Sequence, residues 1–225
     1  MTIQIRYISI LVLVGCFMSC ERQASKDTTE SGGDEQAEAA PAPECNYTLG
    51  ANATSVYWTA YKHSGKVAVK GKMDSVVVTG TESASTPADA LSNAKVHIYT
   101  ASINSKDDVR DKKLREIYFG TMANTEIISG DLISLEGSST EGKCTFNLAM
   151  NDTTQMVVGS YIVNGVTVQI RFTIEPVSWS AEDAIAKLGE ACAEKHTGED
   201  GKTVFWPDVD ILVEVVLDKD CPDPV

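Results

Sequence analysis

The residues best equipped for chemistry are six cysteines, Cys16, Cys20, Cys45, Cys144, Cys192 and Cys221, and three histidines, His63, His97 and His196. Their spacing argues against a catalytic or metal centre. No two histidines have a ligand spacing such as His-x-x-x-His, and no Cys-x-x-Cys follows Cys20, so zinc and thioredoxin-like redox chemistry lack a framework. Gly-x-Ser-x-Gly and phosphate-cradling glycine loops are missing too. Asp107, Asp108 and Asp111 crowd together, but Val109-Arg110 interrupts them and the EF-hand pattern is absent. Helix capping and ion pairing suit these carboxylates better. The expectation is a protein that is not an enzyme and uses neither metal nor cofactor.

The cysteines suit anchoring and cross-linking instead. Arg6 is the only charge before Glu21, and Tyr7 to Met18 is almost wholly apolar. That run is too short to span a bilayer and right for the apolar region of a signal peptide. A cysteine just past it, followed by polar residues, resembles the lipobox of bacterial lipoproteins. Leu13-Val14-Gly15-Cys16 matches the usual pattern better than Phe17-Met18-Ser19-Cys20, yet parity favours Cys20. Cleavage there discards Cys16 and leaves four thiols, enough for two disulfides in an oxidising compartment. Four thiols allow three pairings; Cys45 with Cys221 would staple the ends of a domain, and Cys144 with Cys192 would join a strand to a helix. The expected organisation is a signal peptide over 1–19, a lipidated Cys20 with a tether over 20–44, and one domain over 45–225. Two acyl chains would make the membrane anchor stable. Glu21, not Asp, after the lipid cysteine favours the outer membrane, facing the periplasm.

Composition supports that division. Residues 21–44 contain no aromatic or β-branched aliphatic residue and carry seven acids and two bases, net −5. Such a segment buries too little apolar surface to fold and reads as a tether. Residues 45–225 carry 25 acids and 16 bases, net −9, in a length that suits one domain with a real core. An acidic surface argues against nucleic acid and against a polybasic grip on anionic lipid. Oligomeric state is left open.

Strand patterns dominate the domain. Val166, Val168, Ile170, Phe172 and Ile174 alternate with polar residues, and Asn164-Gly165 before them favours a type I′ hairpin turn. Val209, Ile211, Val213, Val215 and Leu217 repeat the alternation. Further strands are expected over 56–62, 66–72, 74–81, 94–103, 126–136, 143–151 and 155–163. So many short antiparallel strands imply a sandwich or a barrel. Two helices interrupt them. One starts at Ser180 with Asp183 completing a capping box, places Ile185, Leu188 and an inward Cys192 on one face, and stops at Gly198. The other runs around Asp107 to Ile117, with Ser105 and Asp108 spaced like a cap.

The segment Ala101-Ser102-Ile103-Asn104-Ser105, then Val109-Arg110-Asp111-Lys112-Lys113-Leu114-Arg115-Glu116-Ile117-Tyr118-Phe119, is the most distinctive in the chain. It resembles the signature of the YceI-like family, in which a strand leads into Arg-Asp-x-His-Leu-Arg-Ser-x-Asp-Phe-Phe. Arg110, Asp111, Leu114, Arg115 and Phe119 match; Lys113 stands for the family's His and Tyr118 for its Asp. Trp58-Thr59-Ala60-Tyr61-Lys62, the Gly165-Val166-Thr167-Val168 hairpin and Asp208-Val209 follow the family's order, so the resemblance covers about residues 54–217. It implies an extended antiparallel lipocalin-like β-barrel of about eight strands, all-β with one or two short covering helices. It also implies an apolar tunnel holding a polyisoprenoid or similar amphiphile. Trp58, Phe119, Phe146, Leu148, Ile170, Phe172, Ile211 and Val213 are the expected lining. Arg110 and Asp111 are expected to fix the loop and helix by pairing with each other; if Arg110 faces the mouth instead, its guanidinium would hold a phosphate or carboxylate bidentately. The expected role is an anchored carrier or store of a polyisoprenoid, isoprenoid quinone or similar lipid in the bacterial envelope. The alternative is a structural or stress-related envelope protein with a filled barrel core.

Overall fold

The structure, a computed structural model, describes residues 44–222. Cys16, Cys20, the expected signal peptide and nearly all of the tether lie outside the described residues. Alternation of apolar and polar side chains puts every second residue on one face of a strand, and this chain does so ten times. The strands are β1 (Asn46–Lys62), β2 (Val67–Met73), β3 (Val76–Thr79), β4 (Lys95–Tyr99) and β5 (Ile103–Asn104), then β6 (Ile127–Gly137), β7 (Glu141–Met150), β8 (Thr153–Asn164), β9 (Thr167–Ile174) and β10 (Val209–Asp220). They form one antiparallel sheet in the order β3-β4-β6-β7-β8-β9-β10-β1-β2-β5.

The sheet curls into an open barrel. Register shifts between Leu49 and Thr54 on β1, and between Leu132 and Ser134 on β6, let these long strands bend. The curl brings β3 back against β1, although the two are not hydrogen-bonded neighbours. On β7, Cys144, Phe146, Leu148 and Met150 turn inward; on β8, Val157 and Tyr161 do so while Met156, Val158 and Ile162 face out. The barrel is thus filled towards the end where β1 begins. Fully buried Cys144 and Val168 pack there with Tyr161 and Leu217.

Helices cover the other end. Helix α1 (Asp108–Lys113) widens without a break into a π-helical turn over Leu114–Phe119. Its cap is Asp107, whose carboxylate accepts from the Arg110 amide at 3.0 Å, in place of the expected Ser105. Helix α2 (Glu182–His196) starts one residue later than its capping-box pattern implies. Ser180 is in the left-handed conformation that closes a preceding 3-10 turn over Pro176–Trp179, and the α2 cap position is Ala181, with no side-chain cap. Trp179 donates its indole N–H to the Leu148 carbonyl (2.9 Å) and Asn151 donates to the Trp179 and Ser180 carbonyls, which seats this turn on β7.

Other expectations need correction. The strand expected over 94–103 is broken by a 3-10 turn at Thr100–Ser102, because the buried Thr100 hydroxyl donates to the Thr125 carbonyl at 2.7 Å. The β8–β9 turn sits one residue later than expected: Asn164 pairs with Thr167, and Gly165 supplies the positive φ (61°) at the first central position. That is the glycine position of a type II′ turn, not a type I′ turn.

Cys45 and Cys221 are joined by a disulfide just outside the Asn46–Asp220 pair of β1 and β10. The expected Cys144–Cys192 bond is not formed, and both thiols are free. Cys144 is buried in the filled end opposite Gly159, and burial pushes its thiol pKa up. It lies six residues along β7 from Met150, which faces the covered end, a distance of about 20 Å along an extended strand. Cys192, on the covering helix, is out of its reach. The parity argument for Cys20 therefore keeps one cross-link, not two.

Candidate ligand-binding cavity

The covered end of the barrel is hollow. A chamber of about 330 Å³ lies between the strands and the helical cover. A second lobe of about 100 Å³ lies further towards the filled end. Trp58 and Phe119 line the chamber, whereas Phe146, Ile170 and Val213 line the lobe. Leu148, Phe172 and Ile211 border both, so the two spaces share a wall. Phe146 and Phe172 meet edge to face at 4.6 Å, a favoured aromatic geometry. The eight apolar residues expected along a tunnel all sit on this surface, which no Asp, Glu, Lys or Arg lines among the described residues.

A close approach sets the position of Trp58. On β2, Gly71 pairs with Trp58, and a Cβ at Gly71 would lie 2.3 Å from the indole ring and 2.8 Å from the Asn104 carbonyl oxygen. Only glycine lets the indole lie flat against the wall and leave the chamber open.

Arg110 lines neither space. Its Nε donates to Ser105 Oγ at 2.7 Å and its Nη2 to the Ser105 carbonyl at 2.9 Å. Asp111, buried, accepts from the Ser105 amide at 3.0 Å and from the Ser105 hydroxyl. Arg110 and Asp111 thus form a clasp on Ser105 and do not pair with each other, and the clasp pins the start of α1 beside β5. Asp111→Ala should cost about 2–3 kcal/mol, because it leaves a buried amide and hydroxyl without an acceptor. Chemical denaturation checks this; a midpoint equal to the parent's would contradict the role.

The helical cover was less legible. Leu114 and Tyr118 reach the chamber from the π-helical turn, Ile185 and Leu188 from α2, and His196, Phe205 and Trp206 from the end of α2 and the loop after it. Ile185 and Leu188 were visible as an apolar helix face; the 205–206 loop carried no periodic signal. Several contacts hold the cover in place. Lys113 Nζ donates to the Ala191 carbonyl at 2.5 Å, tying α1 to α2. The Trp206 indole donates to the His63 carbonyl at 2.9 Å, and His63 Nε2 lies 3.1 Å from the Lys195 carbonyl oxygen. Lys66 pairs with Asp208 at 2.8 Å and sits over the rings of Tyr61 and Trp206.

Two titratable groups in the chamber are held neutral. The His196 ring stacks on Phe205 with centroids 4.0 Å apart, and desolvation lowers its pKa, with the Val204 backbone opposing the shift and Lys62 and His63 adding to it. Burial raises the Tyr118 phenol pKa far above its ordinary value. His97 lies apart on β4. Among the described residues, no group of three or more His, Cys, Asp or Glu side chains is placed to hold a metal ion.

The YceI-like domain profile matches residues 47–216. No curated protein matches the sequence. Among solved structures, the chain is similar to a polyisoprenoid-binding domain from Saccharophagus degradans implicated in plant cell wall breakdown. The TM-score is 0.52 at 14% identity, over 80% of this chain and 99% of that one. It is similar to BcnA of Burkholderia cenocepacia, with a TM-score of 0.52 at 11% identity over 75% and 98% of the two chains. The YceI protein of Campylobacter jejuni gives a TM-score of 0.50 at 14% identity over 88% and 100%. At these identities the structural likeness establishes the fold.

Proposed function

This chain belongs to the YceI-like domain family, and on that premise we propose that its barrel binds a slender apolar amphiphile: a polyisoprenoid, an isoprenoid quinone or a similar lipid. The observation that supports this reading most is the division of the barrel into a packed end and a hollow one. A core needs no void, and native interiors seldom leave one of this size. A chamber of about 330 Å³ with an apolar lobe behind it falls at the small end of ordinary ligand sites. Apolar burial, worth roughly 25 cal/mol per Å² before ordering costs, would drive binding. The Saccharophagus degradans domain of the same fold is polyisoprenoid-binding, which agrees with the reading.

The protein then acts as a carrier or store. A lipid on Cys20 and the acidic segment 21–44 would tether it in the bacterial envelope, at the outer membrane facing the periplasm. Mass spectrometry of organic extracts from protein purified out of its native membranes tests the binding. A reproducible prenyl species near stoichiometric amount is expected. A lipid-free protein that takes up no prenyl probe would return the barrel to a structural role. The intact mass of the N-terminal peptide tests the anchor, and a peptide without acyl mass removes it.

A further inference from the structure

Hydrogen-bonding groups buried without partners are uncommon in folded proteins and call for an explanation. Among the described residues, three side-chain atoms are in this condition: Thr54 Oγ1, Trp58 Nε1 and His196 Nδ1. All three belong to residues that line the cavity, Thr54 in the lobe and Trp58 and His196 in the chamber. The indole can only donate, whereas a neutral imidazole nitrogen donates or accepts according to tautomer. Each atom is buried just behind the cavity wall, and a turn of its side chain brings it to an oxygen bound in the lobe (Thr54) or in the chamber (Trp58, His196).

We infer that the cavity selects amphiphiles whose head group is uncharged and offers a hydroxyl or carbonyl oxygen, and discriminates against the same chain ending in phosphate or carboxylate. The inference rests on the reading that the chamber holds an amphiphile, and adds which kind. A buried anion needs a cation or a full set of donors, and leaving it unpaired in an apolar site is costly. No Lys or Arg lines the chamber or the lobe among the described residues. Of the nearby cations, Arg110 is engaged by Ser105, Lys113 by the Ala191 carbonyl and Lys66 by Asp208, and Lys62, close enough to lower the pKa of His196, lines neither space. Tyr118 lines the chamber, and burial keeps its phenol neutral. His196 is kept neutral by the same desolvation. What remains is a pocket of apolar walls with a few neutral donors and acceptors.

The test uses the delipidated full chain and three probes: geranylgeraniol, geranylgeranyl phosphate and the head-group-free hydrocarbon squalene, with affinities from isothermal titration. Geranylgeraniol is expected to bind at least about tenfold more tightly than its phosphate. Trp58→Phe and His196→Phe keep a ring in place and remove the orphaned nitrogen. Each should lower the ratio of alcohol to squalene affinity by about five- to tenfold, since only the alcohol has an oxygen for the lost nitrogen. A phosphate that binds as well as the alcohol overturns the inference, as does an alcohol-to-squalene ratio that neither variant moves. If none of the three probes binds, the lipid-binding reading itself fails, and the inference with it.

Discussion

Ala60→Trp is expected to lower affinity for a prenyl ligand by about a hundredfold or more while the fold persists. Ala60 lies on β1 two residues beyond Trp58, faces the chamber and pairs with Val69 on β2. Its methyl group leaves space that a ligand would take. An indole there occupies the same volume and puts new apolar contacts where there was void. Overpacking costs stability where atoms must be displaced, but here the added ring enters an empty space, so the melting temperature should change little. A control separates size from place: Val158 faces outward on β8, and Val158→Trp should leave affinity as it was. Competition with a fluorescent prenyl probe reads both variants, alongside thermal melts. Normal binding by a folded Ala60→Trp protein would mean that ligand does not enter the chamber.

The contrast between Ala60 and Val158 is one of strand phase, and phase is the part of this molecule that could be read from residues alone. Phe146 and Leu148 on β7, Ile170 and Phe172 on β9, and Ile211 and Val213 on β10 are paired inward positions, and a period of two reveals them without knowledge of the partners. The family signature added the order of the elements. What escaped depends on contacts between distant residues. Asn46 to Ser55 is mostly small and polar, yet it extends β1 because β10 lies beside it to pair with. The break at Thr100 comes from one buried hydroxyl that finds the Thr125 carbonyl. Arg110 and Asp111 read as partners of each other, with an anionic head group as the alternative for Arg110; both instead hold Ser105, five residues from Arg110 in a turn no periodicity describes. Cys144 and Cys192 looked like a pair because Cys192 falls on the inward face of its helix, towards the strands. A helix face gives a direction but no depth, and the strand carries Cys144 away from α2.

The surviving cross-link has the larger consequence for stability. Cys45–Cys221 closes a sequence separation of 176 residues, so in the unfolded chain it removes the freedom of almost the whole domain. Loss of such a bond typically costs about 2–5 kcal/mol, and for a domain of this size that lowers the melting temperature by about 5–15 °C. Replacing both cysteines by serine should produce that shift. The damage should also be local in the folded state. Only Asn46 to Leu49 pair with β10 on the disulfide side of the register break in β1, so these four pairs lose their lock. Amide exchange should therefore rise first at 46–49 and 217–220. The chamber lies at the opposite end of β1, so prenyl affinity in the folded double-serine protein should be unchanged. Cys192→Ser, which removes a free thiol, should leave the melting temperature where it was. A double-serine variant that melts with the parent would show that β1–β10 pairing alone holds the termini, and that the bond contributes nothing the sheet does not.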